Sequence, residues 1–329
     1  MRLAGGLQWF AAYELVSDAR RQVVPVAEID RHGERAAALH AAMTSPRPPI
    51  TLSERVLRFD QPQVMGILNV TPDSFSDGGR HTGDLAAAAA AGVDMLTQGA
   101  AVIDLGGEST RPGATTVWEG DEIARVVTVV ERLARSGTPV SIDTRKAAVM
   151  EAALAAGATM VNDVSALLWD DRAVEVVARA ACPIVLMHSP DPASGGHGRV
   201  TYRDPVGEVF AWLQDRIATV VAAGIDRTRI IVDPGVGFGK SLSDNLALIN
   251  GIAAFHGLGC PVLLGASRKR LIGALSNEAP ADKRLGGSMT LALHAAEAGV
   301  QLLRVHDVAE TVQAIRVWRG LRDRALVGG

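Results

Sequence analysis

PVSIDTRKAAVMEAALAAGATMVND, residues 139–163, is one strand–helix–strand unit. Two short apolar runs, 139–142 and 159–161, bracket a helix expected over 146–156, and Gly157 stands where a helix can end on a left-handed cap. Each run stops at polar side chains, Asp143 in the first and Asn162 with Asp163 in the second. The same rhythm continues on both sides. Runs at 64–70, 101–105, 183–187, 229–232, 261–265 and 301–305 end at Asn69, Asp104, His188, Asp233, Ser267 and the pair Arg304 and His306. A strand buried on both faces reads as an unbroken apolar run, so eight of them alternating with helices predict an α/β fold, a parallel sheet closed into a (β/α)8 TIM barrel. That fold carries its chemistry at the C-terminal strand ends, where these polar residues lie.

The spacing predicts helices over 84–98, 119–135, 146–156, 170–180, 204–223, 241–255, 282–298 and 307–319. Asp84, Ser241 and Asp307 are capping candidates, and Gly99, Gly157, Gly224 and Gly299 mark helix ends. Residues 1–60 depart from the rhythm, with a helix candidate over 34–43 and a proline cluster at Pro46, Pro48 and Pro49. They read as an N-terminal extension without legible chemistry, and 61–329 as the barrel.

A net charge of −3 without a Lys/Arg block argues against a nucleic-acid partner, because counterion-driven binding needs a basic face. Cys182 and Cys260 each precede a proline at the start of a predicted strand, opposite the expected site, which predicts buried free thiols. The apolar stretch at 3–16 is interrupted by Gln8, Tyr13 and Glu14 and is too short to span a membrane. A cytoplasmic protein is expected.

The first strand enters a long polar loop, 69–79, holding the aromatic Phe75 and reading as a lid over the barrel mouth. After the second, adjacent glycines let backbone approach a ligand, and Thr110 and Arg111 offer a hydroxyl and a guanidinium to phosphate or carboxylate. Asp143, Asn162 and Asp233 come from three strand ends and suit the donor-rich edge of an aminopyrimidinone ring, although any one Asp could instead cap a helix. Gly235-Val-Gly-Phe-Gly-Lys240 resembles a phosphate loop, but that motif needs a glycine where Pro234 stands. It reads as a glycine-rich turn bearing Phe238, with Lys240 solvated at a helix start. Lys269 and Arg304 with His306 follow strands seven and eight, where barrels often bind phosphate. His188 has no second imidazole or thiol nearby and is expected to line the wall rather than bind metal.

Five motifs, at 65–79, 106–113, 233–240, 267–269 and 304–306, together resemble the dihydropteroate synthase family. The resemblance runs from about residue 63 to the C-terminus. It implies a folate-biosynthesis transferase that joins 4-aminobenzoate to (7,8-dihydropterin-6-yl)methyl diphosphate and releases diphosphate. It further implies that Asp143, Asn162, Asp233 and Lys269 hold the pterin beside Asp104. Asn69 would meet Mg2+ on the diphosphate, and Thr110, Arg304 and His306 would contact the ester, with Arg111 closing over it. Phe75, Pro112 and Phe238 would flank the aminobenzoate, and sulfonamides would compete there. A homodimer is implied by the resemblance alone. Two departures stand out: the loop after His188 reads Ser-Pro-Asp-Pro-Ala-Ser-Gly-Gly, and Arg270 stands where some members carry serine. A corrinoid-type pterin methyltransferase would share the barrel and the pterin-edge acids but has no use for a diphosphate site.

Overall fold

A computed structural model describes residues 1–17, 20–70, 85–109, 114–192, 198 and 200–327. Its centre is an eight-stranded parallel sheet of β5 (Gln63–Asn69), β6 (Val102–Gly106), β7 (Val140–Asp143), β8 (Met160–Asp163), β9 (Ile184–Met187), β10 (Ile230–Asp233), β11 (Leu263–Leu264) and β12 (Leu302–Val305). Neighbours pair in chain order, β12 pairs back onto β5, and a parallel bridge between Val232 and Val262 joins β10 to the β11 segment. The predicted barrel is therefore the observed one. Each expected run became a strand, although β11 is only two residues long.

The surrounding helices are α2 (Leu85–Gln98), α3 (Glu119–Arg135), α4 (Ala147–Ala155), α5 (Ala173–Ala180), α6 (Pro205–Ala222), α7 (Leu242–Asn250), α8 (Arg270–Leu275), α9 (Leu285–Glu297) and α10 (Val308–Val327). α3 shows why they form: acidic Glu119 and Asp121 open it, Arg132 and Arg135 close it, and Val126, Val129, Val130 and Leu133 bury one stripe. Gly99, Gly157, Gly224 and Gly299 all take positive φ after their helices. Ser241 caps α7 with Asp244 in a reciprocal capping box.

Several boundaries differ from expectation: α10 runs on to Val327 rather than stopping at 319, and the short α8 was not foreseen. The helix expected to reach residue 255 stops at Asn250, and a 3-10 segment, Ile252–Leu258, follows. α5 begins at Ala173 rather than Asp170, whose carboxylate accepts both the Arg172 N–H beside it and the Ala147 N–H at the start of α4, each at 2.9 Å. Asp307 spends its carboxylate on Arg268 rather than on α10. Asp84 lies outside the described residues.

Ahead of the barrel come the hairpin β1 (Ala12–Ser17) and β2 (Arg20–Pro25), then α1 (Glu34–Thr44), then the hairpin β3 (Ile50–Leu52) and β4 (Arg55–Leu57). The second hairpin plugs the barrel: Ile50, Leu52, Leu57 and Phe59 pack into one cluster with Met65, Val102, Met160, Val185, Ile231, Leu263 and Leu302. Burying a side chain such as Leu52 contributes about 1.5–3 kcal/mol. α1 is tied on by buried Arg47, which donates to the Ala42 and His256 carbonyls at 2.9 and 2.7 Å. Cys182 and Cys260 are free and buried, as their placement predicted. No helix among the described residues is long and apolar enough to cross a membrane.

Candidate active site

Side chains two apart on a strand face the same way. Val102, Met160, Ile231 and Leu302 belong to the apolar floor, and two residues further along stand Asp104, Asn162, Asp233 and Arg304. A polar layer thus lies one pleat above an oily one, at the C-terminal end of the barrel. In register, Asn69 pairs with Gly106, Gly106 with Asp143, and Asp143 with Asn162, which sets four strands' residues in one row.

Arg304 organises this layer. Its Nε donates to Asp104 Oδ2 at 2.6 Å and its second guanidinium nitrogen to Asp143 Oδ2 at 2.5 Å, while Asn162 Nδ2 donates to the same Asp104 oxygen at 2.9 Å. One cation faces two carboxylates. Burial pushes Asp143 up to about 7; Arg304 opposes that shift and Asp104 adds to it. Burial works against the Arg304 charge, but the two aspartates outweigh it and hold the guanidinium protonated. Oδ1 of Asp143 and Oδ1 of Asp104 are buried with no partner among the described residues. An unsatisfied buried oxygen costs on the order of 1–3 kcal/mol, which a ligand N–H would offset. Asp143 keeps 8 % exposure, whereas Asp104 is fully buried and bonded to Arg304 and Asn162.

On the opposite wall Asp233 accepts the Gly235 N–H at 2.7 Å, and burial raises its carboxyl against the pull of Lys269. Lys269 donates to the Val236 carbonyl, with its ammonium 4.5 Å from the Phe238 ring centre. Burial draws that ammonium down to about 8 while Asp233 resists. His306 Nδ1 lies 3.1 Å from Ser267 Oγ, which also accepts the His306 backbone N–H. Asn69 is exposed at its strand end, and a Cβ on Gly106 would sit 3.3 Å from Asn69 Oδ1. Phe75, Thr110, Arg111 and Pro112 lie outside the described residues, as does most of the expected lid.

Some expectations change. Lys240 is not a free surface lysine: it is half-buried, and its ammonium donates to the carbonyls of Gly235 at 2.8 Å and of Phe238 and His188 at 3.3 Å. The basic run after strand seven divides, because Arg268 pairs with Asp307 and Lys269 alone turns to Asp233. Asp163 is a turn cap, accepting from the Ser165 N–H and hydroxyl at 2.7 Å and from the Leu167 N–H at 2.8 Å. His188 is the wall residue expected, edge-on to Trp212 at 4.9 Å, and burial pushes its imidazole down to about 3.

A buried ionic cluster behind β7 went unread in the sequence. Lys146 Nζ meets Glu122 at 2.6 Å and Glu108 at 3.1 Å, Arg145 meets Glu108 at 3.2 Å, and Thr144 donates to Glu122 at 2.7 Å. Glu108 also accepts the Val117 N–H, and the Arg145 guanidinium lies 3.7 Å from the Trp169 ring centre. One signal was available. Glu122 sits on the same helical stripe as Val126, Val129 and Leu133, where a charge needs a buried partner.

With this geometry in view, the chain can be set against known proteins. The pterin binding enzyme family matches residues 65–306, which takes in every strand end described above. The dihydropteroate synthase of Neisseria meningitidis serogroup B is 45% identical over 267 residues, 80% of this chain and 93% of that one. The chain belongs to the dihydropteroate synthase family. Solved members of the family superpose closely. The Xanthomonas albilineans dihydropteroate synthase with 4-aminobenzoic acid is 48% identical with a TM-score of 0.78, covering 84% of this chain and 98% of its own. The same enzyme in complex with 7,8-dihydropteroate gives 46% and 0.74, with 84% and 99% covered.

Proposed function

We propose that the chain condenses 4-aminobenzoate with (7,8-dihydropterin-6-yl)methyl diphosphate, giving 7,8-dihydropteroate and diphosphate in folate biosynthesis. It is a transferase of class EC 2.5.1.15. The observation that carries this reading is the Asp143 carboxyl at the C-terminal end of the barrel, with one buried oxygen unpartnered, in a chain 45% identical to a dihydropteroate synthase. Asp143, Asn162 and Asp233 would accept or donate at the pterin edge, and Lys269 would close the opposite side. Asp104 acts from behind, holding Asn162 and Arg304 in place.

The aromatic amine is unprotonated at neutral pH, so its nitrogen attacks the pterin methylene carbon without a strong base. The C–O bond breaks, diphosphate departs with the bonding pair, and the amine proton passes to water. Arg304 and His306 would stabilise the leaving group, and the carboxylates tolerate positive charge developing on the pterin. Thr110 and Arg111 would join them at the ester, and Phe75, Pro112 and Phe238 would flank the aminobenzoate.

The residues present fit Mg2+. Asn69 offers one exposed neutral oxygen beside side-chain-free Gly106, and no cluster of three or more acidic, His or Cys side chains occurs among the described residues. Such a site suits an ion that takes its other ligands from phosphate and water. Bound there, it would supply Lewis-acid neutralisation of the departing diphosphate. By the same family resemblance the enzyme works in the cytoplasm as a homodimer; exposed Val317 and Leu321, one helical turn apart on α10, offer an apolar face for that contact. Sedimentation of the purified chain tests the assembly. Diphosphate release measured with both substrates, and with each alone, tests the reaction: release only with both supports it, and none with both overturns it.

A further inference from the structure

The turn Gly235–Lys240 between β10 and α7 has backbone that only glycine adopts readily, with φ of +70° at Gly235, +86° at Gly237 and +58° at Gly239. Neighbouring groups also approach its glycines closely. A Cβ on Gly235 would fall 1.8 Å from the His188 carbonyl oxygen, and one on Gly237 would fall 2.7 Å from Lys269 Cδ. One backbone bond closes within the turn, from the Phe238 N–H to the Gly235 carbonyl at 3.2 Å, and its other polar groups draw on side chains.

They do so in two sets. Asp233 takes the Gly235 N–H at 2.7 Å, and Asn245, buried on α7, takes the Gly237 N–H at 2.6 Å while donating to the Lys240 and Ser241 carbonyls. The carbonyls go to two lysines. Lys240 gathers Gly235, Phe238 and, across from β9, His188; Lys269 takes Val236. The carbonyls that Lys240 holds therefore bracket the one that Lys269 uses, and Phe238, whose carbonyl Lys240 fixes, carries the ring against which the Lys269 ammonium rests.

We propose that Lys240 is a positioning residue for the transfer reaction: its three-carbonyl clamp fixes the Gly235–Gly239 turn so that the Val236 carbonyl and the Phe238 ring aim Lys269 into the pterin site. The proposal rests on the function given above, and it gives Lys240 no contact with substrate. Among the described residues no carboxylate pairs directly with its ammonium, and its three partners are neutral carbonyls. Burial, with Lys269 adding to it, draws that ammonium down to about 7, while Asp233 and Asp244 resist. A half-buried lysine whose three hydrogen bonds all go to backbone carbonyls, two of them inside the turn, is consistent with a turn whose shape matters.

The test is a double-mutant cycle of Lys240→Met and Lys269→Ala, read on kcat/KM and on pterin binding by calorimetry. Lys240→Met is expected to lower kcat/KM by roughly tenfold without exceeding the loss in Lys269→Ala, and the double variant should lie within about threefold of Lys269→Ala alone. A clamp that merely stabilises the fold would leave both losses to multiply, and multiplied losses overturn the proposal. Thermal melts of all four proteins separate a folding defect from the coupling, and Lys240→Arg, which keeps donors at the clamp, should recover part of the rate if the variant folds. Wild-type turnover comes first: its absence defeats the assigned reaction, whereas normal wild-type turnover with independent losses defeats only the role of Lys240.

Discussion

Replacing Arg304 with Met should destabilise the protein in a way that depends on pH. The guanidinium is the direct partner of Asp104 at 2.6 Å and Asp143 at 2.5 Å, and both acids are buried. Removing one member of a buried ion cluster costs about 3–5 kcal/mol, because the remaining charges keep their desolvation penalty without compensation. For a protein of this size about 2 °C of Tm accompanies each kcal/mol, so the variant should melt roughly 6–10 °C below wild type at pH 8. In the unfolded chain Asp143 ionises in the ordinary carboxylate range, whereas in the folded variant it loses the cation that opposes its rise and is raised further. The native state then binds more protons than the unfolded state, and stability rises as pH falls, by up to about 1.4 kcal/mol per pH unit for each extra proton. Melting curves of wild type and variant from pH 8 to pH 5 should therefore converge. Adding Asp104→Asn to Arg304→Met should recover part of the loss at pH 8, since one buried charge disappears. A deficit that is constant across that range, or that widens toward pH 5, would refute the claim that Arg304 compensates this pair.

Lys269→Ala removes a charge-assisted contact of about 1.5–3 kcal/mol, so kcat/KM should fall at least roughly tenfold, and a larger loss in a Lys240 variant would mean that the wrong lysine has been placed in the site. Asn69→Ala should lower kcat more than it weakens pterin binding, as steady-state kinetics at varied Mg2+ would show; a normal kcat with only a raised pterin KM contradicts the assignment. With Asp143 raised to about 7, protonation on its acid side removes an acceptor from the pterin edge, so kcat/KM for the pterin ester should decline as pH drops below neutrality. Asp143→Asn should abolish that limb. Sulfonamides should raise the apparent KM for 4-aminobenzoate while leaving the extrapolated maximum rate unchanged, which a competition assay at low aminobenzoate reads directly.

Much of the architecture was written locally. Each barrel strand is buried on both faces, so its apolar run is continuous, and the longer helices show their own period and in several cases their own glycine stop, whereas six-residue α8 is too short to show one; both signals survive in a single sequence because they depend on near neighbours. The strand-end residues Asn69, Asp104, Asp143, Asn162, Asp233 and Arg304 could be placed at one mouth by topology alone. What each of them touches could not be read that way. Arg304 and Asp104 are 200 positions apart, and only closure of β12 onto β5 brings the guanidinium across to two carboxylates. Asp307, a cap candidate by position, was claimed by Arg268, 39 positions away, because its nearest side-chain donor in space is not near in sequence. Lys240 looked like a solvated helix-start lysine until the glycine turn folded three carbonyls around it. Periodicity and caps are short-range and leave a local trace, whereas the partner of a buried charge is chosen by the barrel's closure, which no window of the sequence contains.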